Sequence, residues 1–230
     1  EGATVLDPPH GASFKPMAAL DFASLYPTII LAQNNRFKSF AMKEQQHGDI
    51  PGLIYDAISS GVDTFNYSHK GVQGVFPTLF EVITQISEHA KKDMAEATNI
   101  IEELYDAKQL SFKVSMNSVY GFTGASQGGL IPCVAIAASV TREGRVMIDE
   151  AKKDVAEAVP GFEVLYGDTD SIQVKLLFRE WRGLDPLQYG FEVAQLRAEE
   201  ITPLFQMPND VELENLRYPY ILYSKKRYAA

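Results

Sequence analysis

The sequence is short of the residues that staple or anchor a chain. A single cysteine, Cys133, stands among 230 residues. That excludes an internal disulfide framework and a cysteine-rich zinc site. Long apolar runs are missing too. The longest, residues 130–140, is about 11 residues and contains Pro132, too short to span a bilayer. No apolar stretch of the secretory kind opens the sequence. Positive charge is scarce: 21 Lys and Arg face 30 Asp and Glu, a net charge of -9. A protein that coats nucleic acid carries the opposite balance. The acidic excess fits one that holds metal ions on carboxylates and meets DNA only locally.

What is present is ordinary globular material, 46% hydrophobic and 22% charged. This excludes a disordered or fibrous chain and allows one large or two small domains with a real core. There is no initiator Met, and the final stretch from Tyr223 to Ala230 stops in mid-pattern. We expect an internal fragment of a longer protein, with a last element whose partners are missing.

Gly and Pro make residues 1–14 a loop with a short strand at 4–6. Residues 17–20 form an apolar run that ends in Asp21, the pattern of a buried strand. Ser24 is then a helix N-cap, Pro27 fits the first turn, and the helix runs to Gln33. Residues 34–75 read as a loop-rich insertion with one or two hairpins; Asn66-Tyr-Ser68 matches a glycosylation sequon by chance. From Pro77 an apolar stripe through Leu79, Ile83, Ile86, Ala90, Met94, Ala97, Ile101 and Leu104 predicts one helix of about 28 residues. A turn near residues 105–108 leads to a second helix ending at Tyr120, antiparallel to the first. Gly121, Gly124, Gly128, Gly129 and Pro132 mark a loop without the Lys-Ser/Thr ending of a P-loop. Another amphipathic helix covers 134–158. Two apolar runs, 162–166 and 172–177, flank Gly167-Asp-Thr-Asp170 as a β-hairpin. Residues 190–206 read as helix and 218–223 as strand.

Tyr166-Gly-Asp-Thr-Asp-Ser171 is the sharpest feature. Asp168 and Asp170 sit two residues apart at the tip of an apolar hairpin, and like charges this close repel unless a cation neutralises them. A solvated turn also uses Asp and Gly. Asp21, ending a second apolar strand, adds what a two-metal site needs, because Mg²⁺ favours a few carboxylates plus substrate phosphates. Helix capping is its plainer role. Lys113, Asn117 and Tyr120 share one helix face, beside an apolar face of Phe112, Met116 and Val119. An ammonium, an amide and a phenol on one face suit a triphosphate and a base, though a routine amphipathic helix has the same spacing. Ser224-Lys-Lys-Arg-Tyr228 concentrates basic charge between aromatics, for phosphate contact or simple solvation.

The order of these pieces is more informative than any one. Asp21-Phe-Ala-Ser-Leu-Tyr-Pro27, then Lys113-x3-Asn117-Ser-x-Tyr120-Gly, then Tyr-Gly-Asp-Thr-Asp-Ser, then Lys-Lys-Arg-Tyr resembles a family B, delta-like DNA polymerase, palm and fingers, from Asp21 to Tyr228. Gly121-Phe-Thr-Gly-Ala125 with Pro132-Cys133 is most similar to the polymerases of large DNA viruses infecting algae. The resemblance implies an α+β fold: an antiparallel palm sheet backed by helices, with a protruding two-helix antiparallel fingers hairpin. Palm would take residues 1–75 and 122–230, and fingers 76–121, with the fingers turning near Phe76 and Gly121.

It further implies a DNA-directed DNA polymerase that adds deoxynucleotides to a primer 3′ end with two Mg²⁺ ions. Asp21, the Phe22 carbonyl and Asp170 would hold the metals, and Asp168 would be a secondary catalytic acid. Ser24, Leu25, Tyr26, Lys91, Lys113, Asn117 and Tyr120 would face the nucleotide, Tyr26 as steric gate. Lys225, Lys226, Arg227 and Tyr228 would meet primer–template DNA. Ser87 departs from the pattern, where an Arg four residues before Lys91 is usual. Replication inside the infected host cell follows from the same resemblance, without membrane partners; a sliding clamp would enter only through the longer protein, and the segment alone would be weak or inactive. A two-carboxylate nuclease, a non-catalytic binding module and a reverse transcriptase are the competing readings. A reverse transcriptase usually pairs adjacent Asp residues, whereas Thr169 separates them here.

Overall fold

A computed structural model of the protein describes residues 2–3, 5–7, 9–33, 55–61, 64–69, 74–96, 100–125, 133–158, 161–178 and 185–230. Within them the chain runs β1 (Gly11–Ser13), β2 (Met17–Phe22), α1 (Leu25–Ala32), β3 (Tyr55–Gly61), β4 (Thr64–His69), α2 (Val75–Glu96), α3 (Ile100–Gly124) and α4 (Val134–Ala158). It continues through β5 (Phe162–Asp168), β6 (Ser171–Leu176), α5 (Pro186–Ile201), a 3₁₀ turn (Thr202–Leu204), β7 (Val211–Arg217), β8 (Tyr220–Ser224) and β9 (Arg227–Ala229). Helices and antiparallel sheets make it α+β, as expected. It divides into two compact units, Glu1–Leu25 with Glu143–Ala230, and Tyr26–Arg142.

The first unit is built on an antiparallel sheet of order β5-β6-β2-β7. The apolar run expected at 17–20 is its inner strand: Met17, Ala18, Ala19, Leu20 and Phe22 are all buried. Each large side chain among them is worth about 1.5–3 kcal/mol of burial. One sheet face is apolar, with Leu20 beside Ile172 and Leu213 in register. Phe22 meets Phe205 edge to face at 5.0 Å. α5 lies against this sheet because its residue at 190 has no side chain. A Cβ there would stand 3.0 Å from a Leu176 methyl and 3.4 Å from one of Leu216. Asp185 caps α5 by accepting from the backbone N–H groups of Leu187 and Gln188, with Pro186 in the first turn. The helix therefore starts before residue 190, where the spacing alone had put it. Buried Arg197 ties α5 to α4 through the carboxylate and carbonyl of Asp154.

The opposite face is polar, and two bulges make it so. In β7, Ala19 pairs with Asn215 but Leu20 with Leu213, so Glu214 is the extra residue. In β5, Val164 pairs with Val174 but Tyr166 with Gln173, so Leu165 is extra. Without them Leu213 would face the Asp21 side and Tyr166 would fall opposite Ile172. With them, paired residues share a face: Tyr166, Gln173, Ala19 and Asn215 form one row, and Asp168, Ser171, Asp21 and Glu212 the next. β7 escaped the sequence reading because Val-Glu-Leu-Glu-Asn-Leu-Arg breaks its alternation at the bulge.

The row under Asp21 stores free energy. The buried Oε1 of Gln173 and Oδ1 of Asn215 have no hydrogen-bond partner among the described residues. Gln173→Met, of similar volume, should stabilise the chain by roughly 1 kcal/mol by removing an unsatisfied acceptor. That is a rise of about 2–4 °C in thermal midpoint for a chain this long. A fall in the midpoint would refute the reading.

β1, β8 and β9 form a second sheet, and Met17, Tyr166, Tyr220 and Leu222 a shared core. The final residues thus have partners within the chain, contrary to the expectation above: β8 pairs with β1 and β9. The strand expected at 4–6 is a lone bridge between Val5 and Asp168; Thr4 lies outside the described residues.

In the second unit, α2 and α3 share buried Phe80, Ala90 and Met116, and the Thr84 hydroxyl donates to the Met116 sulfur at 3.7 Å. α2 ends at Glu96 and α3 begins at Ile100, residues 97–99 lie outside the described residues, and the turn expected at 105–108 is helix interior. The apolar stripe runs on from α2 into α3, so periodicity alone did not separate the two helices. α3 continues to Gly124, so Gly121 and Gly124 are helical, and Phe76 and Gly121 lie inside helices. Gly128, Gly129, Pro132 and Pro160 lie outside the described residues, as does most of 34–75, where β3 and β4 supply one expected hairpin. Among the described residues no helix is long and apolar enough to cross a membrane.

Candidate active site

Asp21 stands near the end of β2, flanked in register by Ser171 and Glu212. The next backbone N–H, of Phe22, donates to the carbonyl of Asp170 at 2.9 Å, and that of Ala23 to the carbonyl of Asp210 at 3.0 Å. The strand-end Asp and the hairpin Asp, far apart in sequence, are therefore held by adjoining backbone. Ser24 follows with φ +55, left-handed rather than the extended geometry of an N-cap. It directly precedes α1, the position expected of the cap, with a backbone conformation unusual for one.

The hairpin tip is tight. Asp170 N–H donates to the Asp168 carbonyl at 2.6 Å around Thr169, whose φ is +61. This is a γ-turn, rare and strained even without a β-branched centre. The strain, of order 1–3 kcal/mol, lies directly between the two carboxylates.

Asp168 is enclosed by donors. Its carboxylate takes the Thr169 hydroxyl at 3.0 Å, the Tyr166 hydroxyl at 3.3 Å and the Lys226 ammonium at 3.1 Å. Tyr166, fully buried, also accepts the backbone N–H of Lys226 at 3.0 Å. Burial pushes the Tyr166 hydroxyl above its ordinary pKa, partly offset by that N–H. The hydrogen bond and charge of Asp168 hold the Lys226 ammonium above its usual value. The basic stretch is a turn between β8 and β9. Lys225 reaches Asp7 at 2.7 Å and the Val5 carbonyl, and Arg227 and Tyr228 are exposed, with the Arg217 guanidinium 4.6 Å over the Tyr228 ring. Ser24, Thr169 and Lys226 are the non-glycine residues at positive φ among those described. Each lies in a segment carrying a candidate site residue, and such strain gathers at functional sites.

Tyr26, Lys113, Asn117 and Tyr120 belong to the second unit. Lys113 and Asn117 are exposed and Met116 is buried, the division of faces expected for α3. Tyr26 and Tyr120 stack with centroids 4.7 Å apart at 35°. Burial, then the Tyr26 phenol, pushes the Tyr120 hydroxyl up to about 12. Ser87 is half-buried on α2; the Lys91 side chain lies outside the described residues. Leu25 is buried at the start of α1.

Sequence reasoning missed Asp7, Glu212 and the Tyr166 hydroxyl. Tyr166 stands in the quoted motif two residues before Asp168 on the same strand, and that period-2 spacing was the available signal. Nothing in the sequence pointed to Asp7, which meets Lys225 from the far end of the chain.

The donor set at the sheet end is hard oxygen: the carboxylates of Asp21, Asp168, Asp170 and Glu212, and backbone carbonyls. Among the described residues no three or more His, Cys, Asp or Glu gather as a metal cage. Oxygen donors of this kind are chemically suited to a hard divalent cation.

The sequence profile of DNA polymerase family B matches residues 1–230. A DNA polymerase of Paramecium bursaria Chlorella virus NY2A is 49% identical over 239 residues, all of this chain and 26% of the relative. DNA polymerase delta catalytic subunits of Glycine max and Plasmodium falciparum are 40% and 36% identical, again over all of this chain and 21% of each relative. The chain thus spans about a quarter or less of the length of these relatives. With the profile matched from first residue to last, through both carboxylate segments and the basic turn, the chain belongs to DNA polymerase family B.

Proposed function

We propose that this chain carries the palm (1–75 and 122–230) and the antiparallel fingers hairpin (76–121) of a viral replicative DNA polymerase, extending a DNA primer with deoxynucleotides inside the infected cell. The observation that carries the reading is the joined backbone of Asp21 and Asp170 beside a strained turn. Asp21, the Phe22 carbonyl and Asp170 would hold two Mg²⁺ ions. Bound there, such ions supply activation of the primer hydroxyl and charge neutralisation at the triphosphate. The chain does the positioning. Ser24 and Leu25 offer backbone N–H groups where α1 begins, suited to phosphate. Lys91, Lys113 and Asn117 face the triphosphate, and Tyr120 the nascent base pair. Tyr26 packs under the deoxyribose and excludes a 2′-hydroxyl. Lys225, Lys226, Arg227 and Tyr228 track the primer–template backbone. A sliding clamp belongs to a longer chain than this one.

Metal-dependent incorporation on a primed template, by the whole polymerase carrying this sequence, tests the reading. Templated extension by deoxynucleotides supports it. Cleavage without extension would favour a nuclease, and duplex binding without either a binding module.

Ser87 weakens the nucleotide grip in this reading. A charged hydrogen bond is worth about 1.5–3 kcal/mol, so Ser87→Arg should lower the nucleotide KM roughly tenfold or more. An unchanged KM in steady-state incorporation would show that the position does not face the triphosphate.

A further inference from the structure

The two functions assigned to the Asp168 hairpin and the basic turn meet in one ion pair. Lys226 Nζ lies 3.1 Å from Asp168 Oδ1, with the lysine side chain 66% exposed and the aspartate 19%. The lysine backbone is fixed independently of that contact. It sits at φ +60, its N–H is held by the Tyr166 hydroxyl, and Ser224 pairs with Arg227 across the turn. Only the flexible four-carbon stem has to move for the ammonium to leave.

The two partners respond differently to separation. The exposed ammonium loses little by leaving, because solvent-facing ion pairs contribute little, and a DNA phosphate offers it a replacement. The carboxylate is mostly enclosed and cannot rehydrate freely. It would be left negative two residues from Asp170, and like charges so placed require a cation.

We propose that Lys226 serves as the internal counter-ion of Asp168 until DNA draws it away, so that primer–template binding and divalent-metal binding strengthen one another through this single side chain. The inference rests on the polymerase reading of the same site. By linkage the coupling is reciprocal. Lys226 is in these terms a positioning residue: it sets the charge that Asp168 presents to the metal-holding carboxylates.

The test is Mn²⁺ binding followed by electron paramagnetic resonance, which needs no turnover. It uses the whole polymerase with and without a primed duplex, after subtracting the duplex's own uptake. Without DNA, Lys226→Gln should tighten Mn²⁺ binding about fivefold or more. Asp168→Asn added to Lys226→Gln should return it to the wild-type level. The duplex should tighten wild-type binding by a similar factor and add nothing to Lys226→Gln. Unchanged or weaker Mn²⁺ binding in DNA-free Lys226→Gln overturns the inference and leaves the polymerase reading standing. If Mn²⁺ binding instead survives Asp21→Asn with Asp170→Asn, the ions are held elsewhere, and both the inference and the metal assignment fall.

Discussion

Asp170→Asn should reduce single-turnover incorporation by about 10³-fold or more, the several kcal/mol expected when a metal-holding charge is lost. Asp168→Asn should cost far less, about tenfold. The contrast follows from the hairpin. Asn retains the shape of Asp170, and its backbone carbonyl still accepts the N–H of Phe22, so folding should survive and only the charge is lost. The Asp168 carboxylate is not one of the proposed metal ligands and stays cradled by the hydroxyls of Tyr166 and Thr169 when DNA draws Lys226 away. Asn there forfeits an ion pair at the edge of the site. Thermal melting of both variants separates lost chemistry from lost structure. If Asp168→Asn were the dead variant and Asp170→Asn the active one, the two roles would have to be exchanged.

Tyr26→Val should relax discrimination against ribonucleotides by about a hundredfold, the scale on which an apolar wall rejects an added hydroxyl. The wall is set by a neighbour: Tyr26 stacks on Tyr120 at 4.7 Å, a contact worth roughly 0.5–1.5 kcal/mol beyond area. Tyr26→Val therefore also loosens Tyr120, and deoxynucleotide incorporation should slow modestly alongside. Tyr26→Phe keeps ring and stack and should leave discrimination nearly intact. The ratio of kcat/KM for paired ribo- and deoxynucleotides reads this directly; equal ratios in Tyr26→Val and the parent would remove Tyr26 from the gate. The Tyr120 hydroxyl, pushed up to about 12, stays protonated at neutral pH, so no pH step near neutrality should arise from it.

Much of this protein was legible in one dimension because the signals were local. Four successive buried residues ending in Asp21, an apolar hairpin closing on Asp168 and Asp170, and the division of α3 into a buried Met116 face and an exposed Lys113 face all follow from side-chain periodicity. That periodicity is a property of the chain itself. The tertiary structure decided what depends on non-local register. Two bulges, at Leu165 and Glu214, each add one residue to a strand, and a one-residue shift exchanges the faces of a sheet. They put Tyr166 opposite Gln173 and Glu212 beside Asp21, and keep Leu213 on the apolar side. Pairing of β8 with β1 brings the final basic turn to the hairpin of Asp168 and Asp170. Neither bulge is marked by a residue type, and no local pattern relates residue 226 to residue 168. Composition and spacing determined that carboxylates, a helix face and a basic turn exist; only packing of distant strands determined that the basic turn rests on one of those carboxylates.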